Sequence, residues 1–134
     1  MASIFTKIIK GEIPSYKVAE DENFYAFLDI NPLSKGHTLV VPKQEVDYIF
    51  DLDDKYLGDL HIFSKKVSKA IEQTINCKRV GIVVYGLDVP HAHIHLIPLI
   101  EGNEINFNRE KVKLTSEEMA EIANKIFVAF SAKK

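Results

Sequence analysis

The chain has 134 residues, with 17 Lys plus Arg against 19 Asp plus Glu, 46% hydrophobic and 27% charged residues. The length predicts one domain over 1–134 with a core that needs no disulfide or metal staple, and near-average composition excludes global disorder. A net charge of −2 speaks against a nucleic-acid polymer as partner, and no run nears the roughly 20 apolar residues of a membrane helix. The opening residues Met1 to Lys7 are too polar and too short for a secretory leader, and Cys77 is the sole cysteine. Together they predict a cytoplasmic setting.

Taken in chain order, Ser3 caps a short helix that runs to about Lys10 and stops at Gly11. Tyr16–Glu20 and Phe24–Asp29 read as strands around the turn Asp21-Glu22-Asn23, and His37–Val41 is a third strand ended by Pro42. From Asp53 to about Asn76 the apolar period becomes helical, through Tyr56, Leu60, Phe63, Val67 and Ile71. Val80–Tyr85 reads as a buried strand, Gly86–Pro90 as a loop, and His91–Leu99 as the last strand. After a polar stretch, Thr115-Ser116-Glu117-Glu118 fits a capping box that opens a final helix. Strands joined by short turns imply antiparallel pairing, so the class is α+β.

The chemistry concentrates in His91-Ala92-His93-Ile94-His95. In a strand the three histidines share one face, about 6.6 Å apart, and Ala92, Ile94 and Leu96 share the other. Burying three imidazoles on one face for packing alone would cost polar desolvation three times. Two functional readings remain open on spacing. Imidazole suits several transition metals, although the first and third histidines lie about 13 Å apart along a regular strand. Imidazole also serves as nucleophile and acid–base group near neutral pH, with phosphorus as a sensible target.

The H-x-H-x-H segment resembles the signature of the histidine-triad (HIT) family, Hint-like branch. The likeness extends over Ser3-Ile4-Phe5-Thr6-Lys7-Ile8-Ile9, Gly11-Glu12-Ile13-Pro14, Phe24–Asp29 and His37–Lys43. It implies a five-stranded antiparallel sheet with one long helix packed on it, a short N-terminal and a C-terminal helix, and a homodimer. It also implies a nucleotidyl hydrolase or transferase acting on phosphoramidates, acyl-nucleotides or dinucleoside polyphosphates of purine nucleosides, without a cofactor. His93 falls at the nucleophile, His95 at the donor to phosphate or leaving group, His91 at the residue that orients the nucleophile, and His37 at a fourth histidine facing the phosphate. Asp29 falls at the ribose-binding carboxylate. Ile4, Phe5, Ile13, Phe27 and Ile30 match positions that line the base pocket.

The chain also departs from that pattern. Where many relatives hold a structural zinc through two cysteines and a later histidine, it has Ser3, Thr6 and Glu45, so no metal is expected. The loop before the triad is shorter and lacks the usual Gln and Ser/Thr. Tyr85 stands near a phosphate-binding Asn position and is a candidate nucleotide contact. Asp88 would repel a phosphate unless turned away, which leaves phosphate binding to the four histidines and backbone N–H groups. Two other readings therefore stay beside the enzyme: a nucleotide-binding regulatory module of weak catalysis, and a metal-binding protein using the H-x-H-x-H face.

Overall fold

The computed structural model describes residues 2–132. Its elements are α1 (Ile4–Ile9), β1 (Lys17–Glu20), β2 (Phe24–Leu28), β3 (Thr38–Pro42), α2 (Asp54–Thr74), β4 (Arg79–Val83), β5 (Ile94–Leu99) and α3 (Ser116–Ala132). The sheet is antiparallel throughout, in the order β1-β2-β3-β5-β4.

Local chemistry accounts for the boundaries. Ser3 Oγ accepts from Thr6 N and caps α1, and Gly11 follows the helix at φ +79°. Asp53 caps α2 through Tyr56 N. At the start of α3, Thr115 N donates to Glu118 Oε1 (2.9 Å) and Glu118 N to Thr115 Oγ1 (3.1 Å). This is the reciprocal arrangement of a capping box.

The sheet buries both faces. On one, Ala26, Val40, Ile94 and Leu96 pack with Leu60, Val67 and Ile71 of α2 and Ile122 and Ile126 of α3. On the other, Tyr25, Phe27, Leu39 and Val41 pack with Phe5 and Ile8 of α1. This double burial explains why β2 reads as the unbroken apolar run Phe-Tyr-Ala-Phe-Leu.

Two strand expectations need correction. The strand expected from Val80 to Tyr85 is Arg79–Val83 and lies at the sheet edge, with Ile82 53% and Val84 40% exposed. An apolar run cannot by itself distinguish a buried strand from an edge strand. The strand expected from His91 begins only at Ile94. Pro90 has no N–H to offer a ladder. His91 N turns back to Val89 O (2.8 Å), and Ala92 N is bound by Val46 O (2.7 Å) in the loop after β3. Loop contacts thus replace strand pairing for the first half of the triad, while its alternation of apolar and polar sides persists.

Candidate active site

The sheet register brings the histidines together. Phe27 pairs with Leu39, and Leu39 with His95, so these side chains form one row on the α1 side of the sheet. His37 stands two residues before Leu39 and points to the same side. Gly36 sets its approach at φ +91°, where a Cβ would stand 2.8 Å from Ile75 Cγ1. The His37 and His95 rings lie 5.2 Å apart, those of His93 and His95 5.1 Å, and Phe5 meets His93 edge-on at 4.9 Å. All four histidines are at most 3% exposed. Burial holds His37 down at about 3 and His95 at about 4, and it also lowers His91.

Neutral imidazole carries one proton, so each ring's partners fix its tautomer. Leu33 N–H can only donate, and it meets His37 Nδ1 at 3.0 Å. His37 therefore carries its proton on Nε2 and gives it to His95 Nδ1, 3.0 Å away. His95 must then be protonated on Nε2. In the other half, His91 Nε2 reaches Pro42 O (2.7 Å) and so bears the proton, while Nδ1 accepts from Ser3 Oγ (2.7 Å). His93 Nδ1 donates to His91 O (2.8 Å), which leaves a lone pair on Nε2. Among the described residues, the buried side-chain polar atoms without a hydrogen-bond partner are His93 Nε2 and His95 Nε2. One is an acceptor with nucleophilic character and the other a donor, and they lie side by side.

The four histidines thus fall into two kinds. His37 and His91 have both nitrogens engaged within the protein. They stand behind His95 and His93 respectively and leave two rings to meet a ligand.

Beside them opens a cavity of about 290 Å³. Ile4, Phe5, Ile13, Phe27 and Ile30 line it together with Asp29, Asp88 and His95, so the apolar residues expected around a base do share one pocket. Asp29 Oδ1 accepts from Asn31 N (2.8 Å), while Oδ2 lies 3.6 Å from His37 Nε2. One oxygen thus holds the turn, and the residue lines the pocket. Burial raises the Asp29 carboxyl above its ordinary range.

Tyr85 does not join that pocket. It follows the end of β4, is 55% exposed, and lines a separate cavity of about 450 Å³ with Tyr48, Phe50, His61 and His93. Its ring stacks on Phe107 at 5.6 Å, and Phe107 meets His95 edge-on at 5.0 Å. Sequence reasoning passed over Phe107; its only signal is a lone aromatic within the polar stretch Glu101–Lys113. Asp88 is not turned away from the site. Its Oδ1 lies 3.2 Å from His93 Nε2, without the alignment of a hydrogen bond.

Neither metal reading fits these atoms. Two groups bring one donor atom each within 4.8 Å of one another, but in Asp88, His93 and His95 the His95 Nε2 carries a proton and has no lone pair to give, and in Asp29, His37 and His95 both His37 nitrogens are engaged within the protein. At the positions where the family resemblance implies zinc, Ser3, Thr6, Glu45 and His91 do come together. They offer two hydroxyls and a carboxylate instead of two thiolates and an imidazole, and Ser3 Oγ already occupies the His91 Nδ1 lone pair.

The arrangement is that of an antiparallel-sheet protein with a buried imidazole lone pair and an imidazole N–H beside an apolar pocket. The HIT domain model matches residues 10–102, and the chain belongs to that family. It is 40% identical over 131 residues to an uncharacterized HIT-like protein of Borreliella burgdorferi, covering 92% of this chain and 94% of that one. It is 42% identical over 98 residues to the adenosine 5'-monophosphoramidase HNT1 of Saccharomyces cerevisiae, covering 72% of this chain and 62% of that protein. Among solved structures, a hypothetical histidine triad nucleotide-binding protein of Sulfolobus tokodaii superposes with a TM-score of 0.85 at 28% identity, over 96% of this chain and 92% of that one.

Proposed function

We propose that the chain is a purine-nucleotide hydrolase or nucleotidyl transferase that cleaves at the α-phosphorus, with nucleoside phosphoramidates as the leading substrate class. The observation that carries this is the pair of unpartnered buried nitrogens, His93 Nε2 and His95 Nε2. The His93 lone pair attacks phosphorus, the bond from phosphorus to the leaving amine breaks, and the amine departs with a proton from solvent. The resulting nucleotidyl-histidine carries positive charge on the ring, which the His91 carbonyl stabilises through Nδ1–H. His95 Nε2–H donates to a phosphate oxygen as charge builds there. Water then attacks phosphorus and gives a proton to solvent, the P–Nε2 bond breaks with its electron pair returning to His93 Nε2, and nucleoside monophosphate leaves. The apolar pocket holds the base and the free oxygen of Asp29 accepts from the ribose. The phosphoramidase name of the yeast relative supports this choice of substrate.

The activity test is release of AMP from adenosine 5'-phosphoramidate by the purified chain. The wild type should turn over, and His93→Ala should not, with thermal stability retained. Wild-type turnover by His93→Ala would overturn the proposal. Asp88 supports a second reading, a nucleotide-binding module of weak catalysis, since it sets a carboxylate beside the attacking nitrogen. That reading calls for AMP binding without turnover.

We also propose that the chain acts as one domain in a homodimer. Support comes from the unpaired β4 edge and from exposed Tyr48, Phe50, Ile62, Ile82 and Val84, surface that a second copy would cover. No helix among the described residues is long and apolar enough to cross a membrane. The lone thiol of Cys77 is in keeping with a cytoplasmic setting.

A further inference from the structure

Three segments meet at the start of α1, and their side chains bind one another. Ser3 Oγ, besides its bond to His91 Nδ1 (2.7 Å), accepts from Thr6 N (3.1 Å) and lies 3.3 Å from Thr6 Oγ1. Glu45 Oε1 accepts from Ser3 N (2.9 Å) and also from Thr6 Oγ1. His91 Nε2 donates to Pro42 O (2.7 Å). The His91 ring is therefore pinned at both nitrogens, one to α1 and one to the end of β3. Ser3 is 8% exposed and His91 is fully buried. Glu45 sits at the surface and closes the cluster from outside.

Two parts of the site depend on this junction. The His91 carbonyl accepts the Nδ1 proton of His93, and that bond decides which His93 nitrogen keeps its lone pair. The same junction seats α1, whose Ile4 and Phe5 line the pocket and whose Phe5 ring touches His93. A metal could brace these segments, but the groups present are hydroxyls and a carboxylate that satisfy one another. We propose that Ser3, Thr6 and Glu45 form a hydrogen-bonded clamp in place of a metal, acting through His91 to position the His93 nucleophile. The inference rests on His93 as the attacking group. A ring held by its neighbours keeps its tautomer and aim without reorganising at the moment of reaction, which is where supporting contacts affect rate.

The test uses the full chain and four variants: Ser3→Ala, Glu45→Ala, and the conservative Ser3→Thr and Glu45→Gln, which keep an acceptor in place. Three readouts separate positioning from stability and from metal dependence: kcat against KM on adenosine 5'-phosphoramidate, the nitrogen-15 NMR signature of the His93 tautomer, and activity with metal content before and after chelator. The clamp predicts full activity and no stoichiometric zinc after chelation. It predicts a fall in kcat of about ten- to a hundred-fold in the two alanine variants, with KM little changed. Protonation should shift partly from His93 Nδ1 to Nε2, and Ser3→Thr and Glu45→Gln should recover most of the loss. Surface-exposed Glu45 gives the variant in which folding is least at risk. Alanine variants that lose stability but keep wild-type kcat and tautomer would overturn the proposal, as would activity that chelator removes and zinc restores. If His93→Ala instead turns over normally, the functional reading fails while the tautomer measurement still judges the clamp.

Discussion

The segment from His91 to Leu96 presents two sides that are equally buried and chemically opposite. Ala92, Ile94 and Leu96 face α2 and α3, at most 2% exposed, while His91, His93 and His95 face α1, at most 3% exposed. On the first side nothing is required beyond apolar volume and close packing. On the second, six ring nitrogens have to be accounted for, and four of them are bound by protein groups. The difference shows where this fold keeps its chemistry. The apolar side resists unfolding, and the polar side leaves a lone pair and an N–H unpaired so that a ligand can complete them.

Substitutions on the two sides should accordingly fail in different ways. The largest effect is expected at His93: His93→Ala should abolish turnover while the melting temperature stays near wild type, measured by AMP release and calorimetry. His95→Ala should lower kcat by about 10²–10³-fold, the usual worth of one hydrogen-bond donor aimed at developing charge. On the other side, Ile94→Ala should cost about 2–5 kcal/mol of stability, as buried aliphatic truncations do. Activity per folded molecule should change little. Denaturant unfolding together with active-site titration checks this. If Ile94→Ala lowered kcat as far as His95→Ala did, the two sides would not be separable.

The pH dependence sharpens the same contrast. His37 and His95 are held by burial at about 3 and about 4, against about 6.5 in an unfolded chain. The folded state thus binds fewer protons than the unfolded one below 6.5. The stability from keeping these rings neutral is full above pH 6.5 and is lost as pH falls toward 4 and then 3. Urea midpoints should drop between pH 7 and pH 5, and His37→Gln should make that drop shallower. The smallest effect is expected at Asp88, which is exposed enough for solvent to screen it. Asp88→Asn should tighten AMP binding several-fold, about 1 kcal/mol or less, by calorimetric titration. Weaker binding would show that the carboxylate assists the site.

Much of this was legible in the sequence. Strict alternation over His91, His93 and His95 marked the candidate site, and the caps at Ser3 and Thr115 marked two helix starts, because each is a local rule with a local cause. What escaped depends on non-local partners. Whether residues 91–93 pair as a strand depends on Val46 O and on Pro90, and whether β4 is buried depends on its place in the sheet. Tyr85 lies apart from the pocket of Asp29 because β4 ends before it and Phe107 offers a stacking partner. The division of four histidines into two with a spare ring nitrogen and two with none is set by Leu33 N, Pro42 O and Ser3 Oγ, groups that no spacing rule connects.

The central claim is that His93 carries the nucleotidyl group. Intact-protein mass spectrometry after brief exposure to a reactive adenosine phosphoramidate tests it directly, with peptide mapping under conditions that keep P–N bonds. The account predicts a transient adenylyl adduct on His93 that decays as AMP appears and that is absent from His93→Ala. An adduct on another residue, or AMP release at the wild-type rate from the His93→Ala protein, would contradict it.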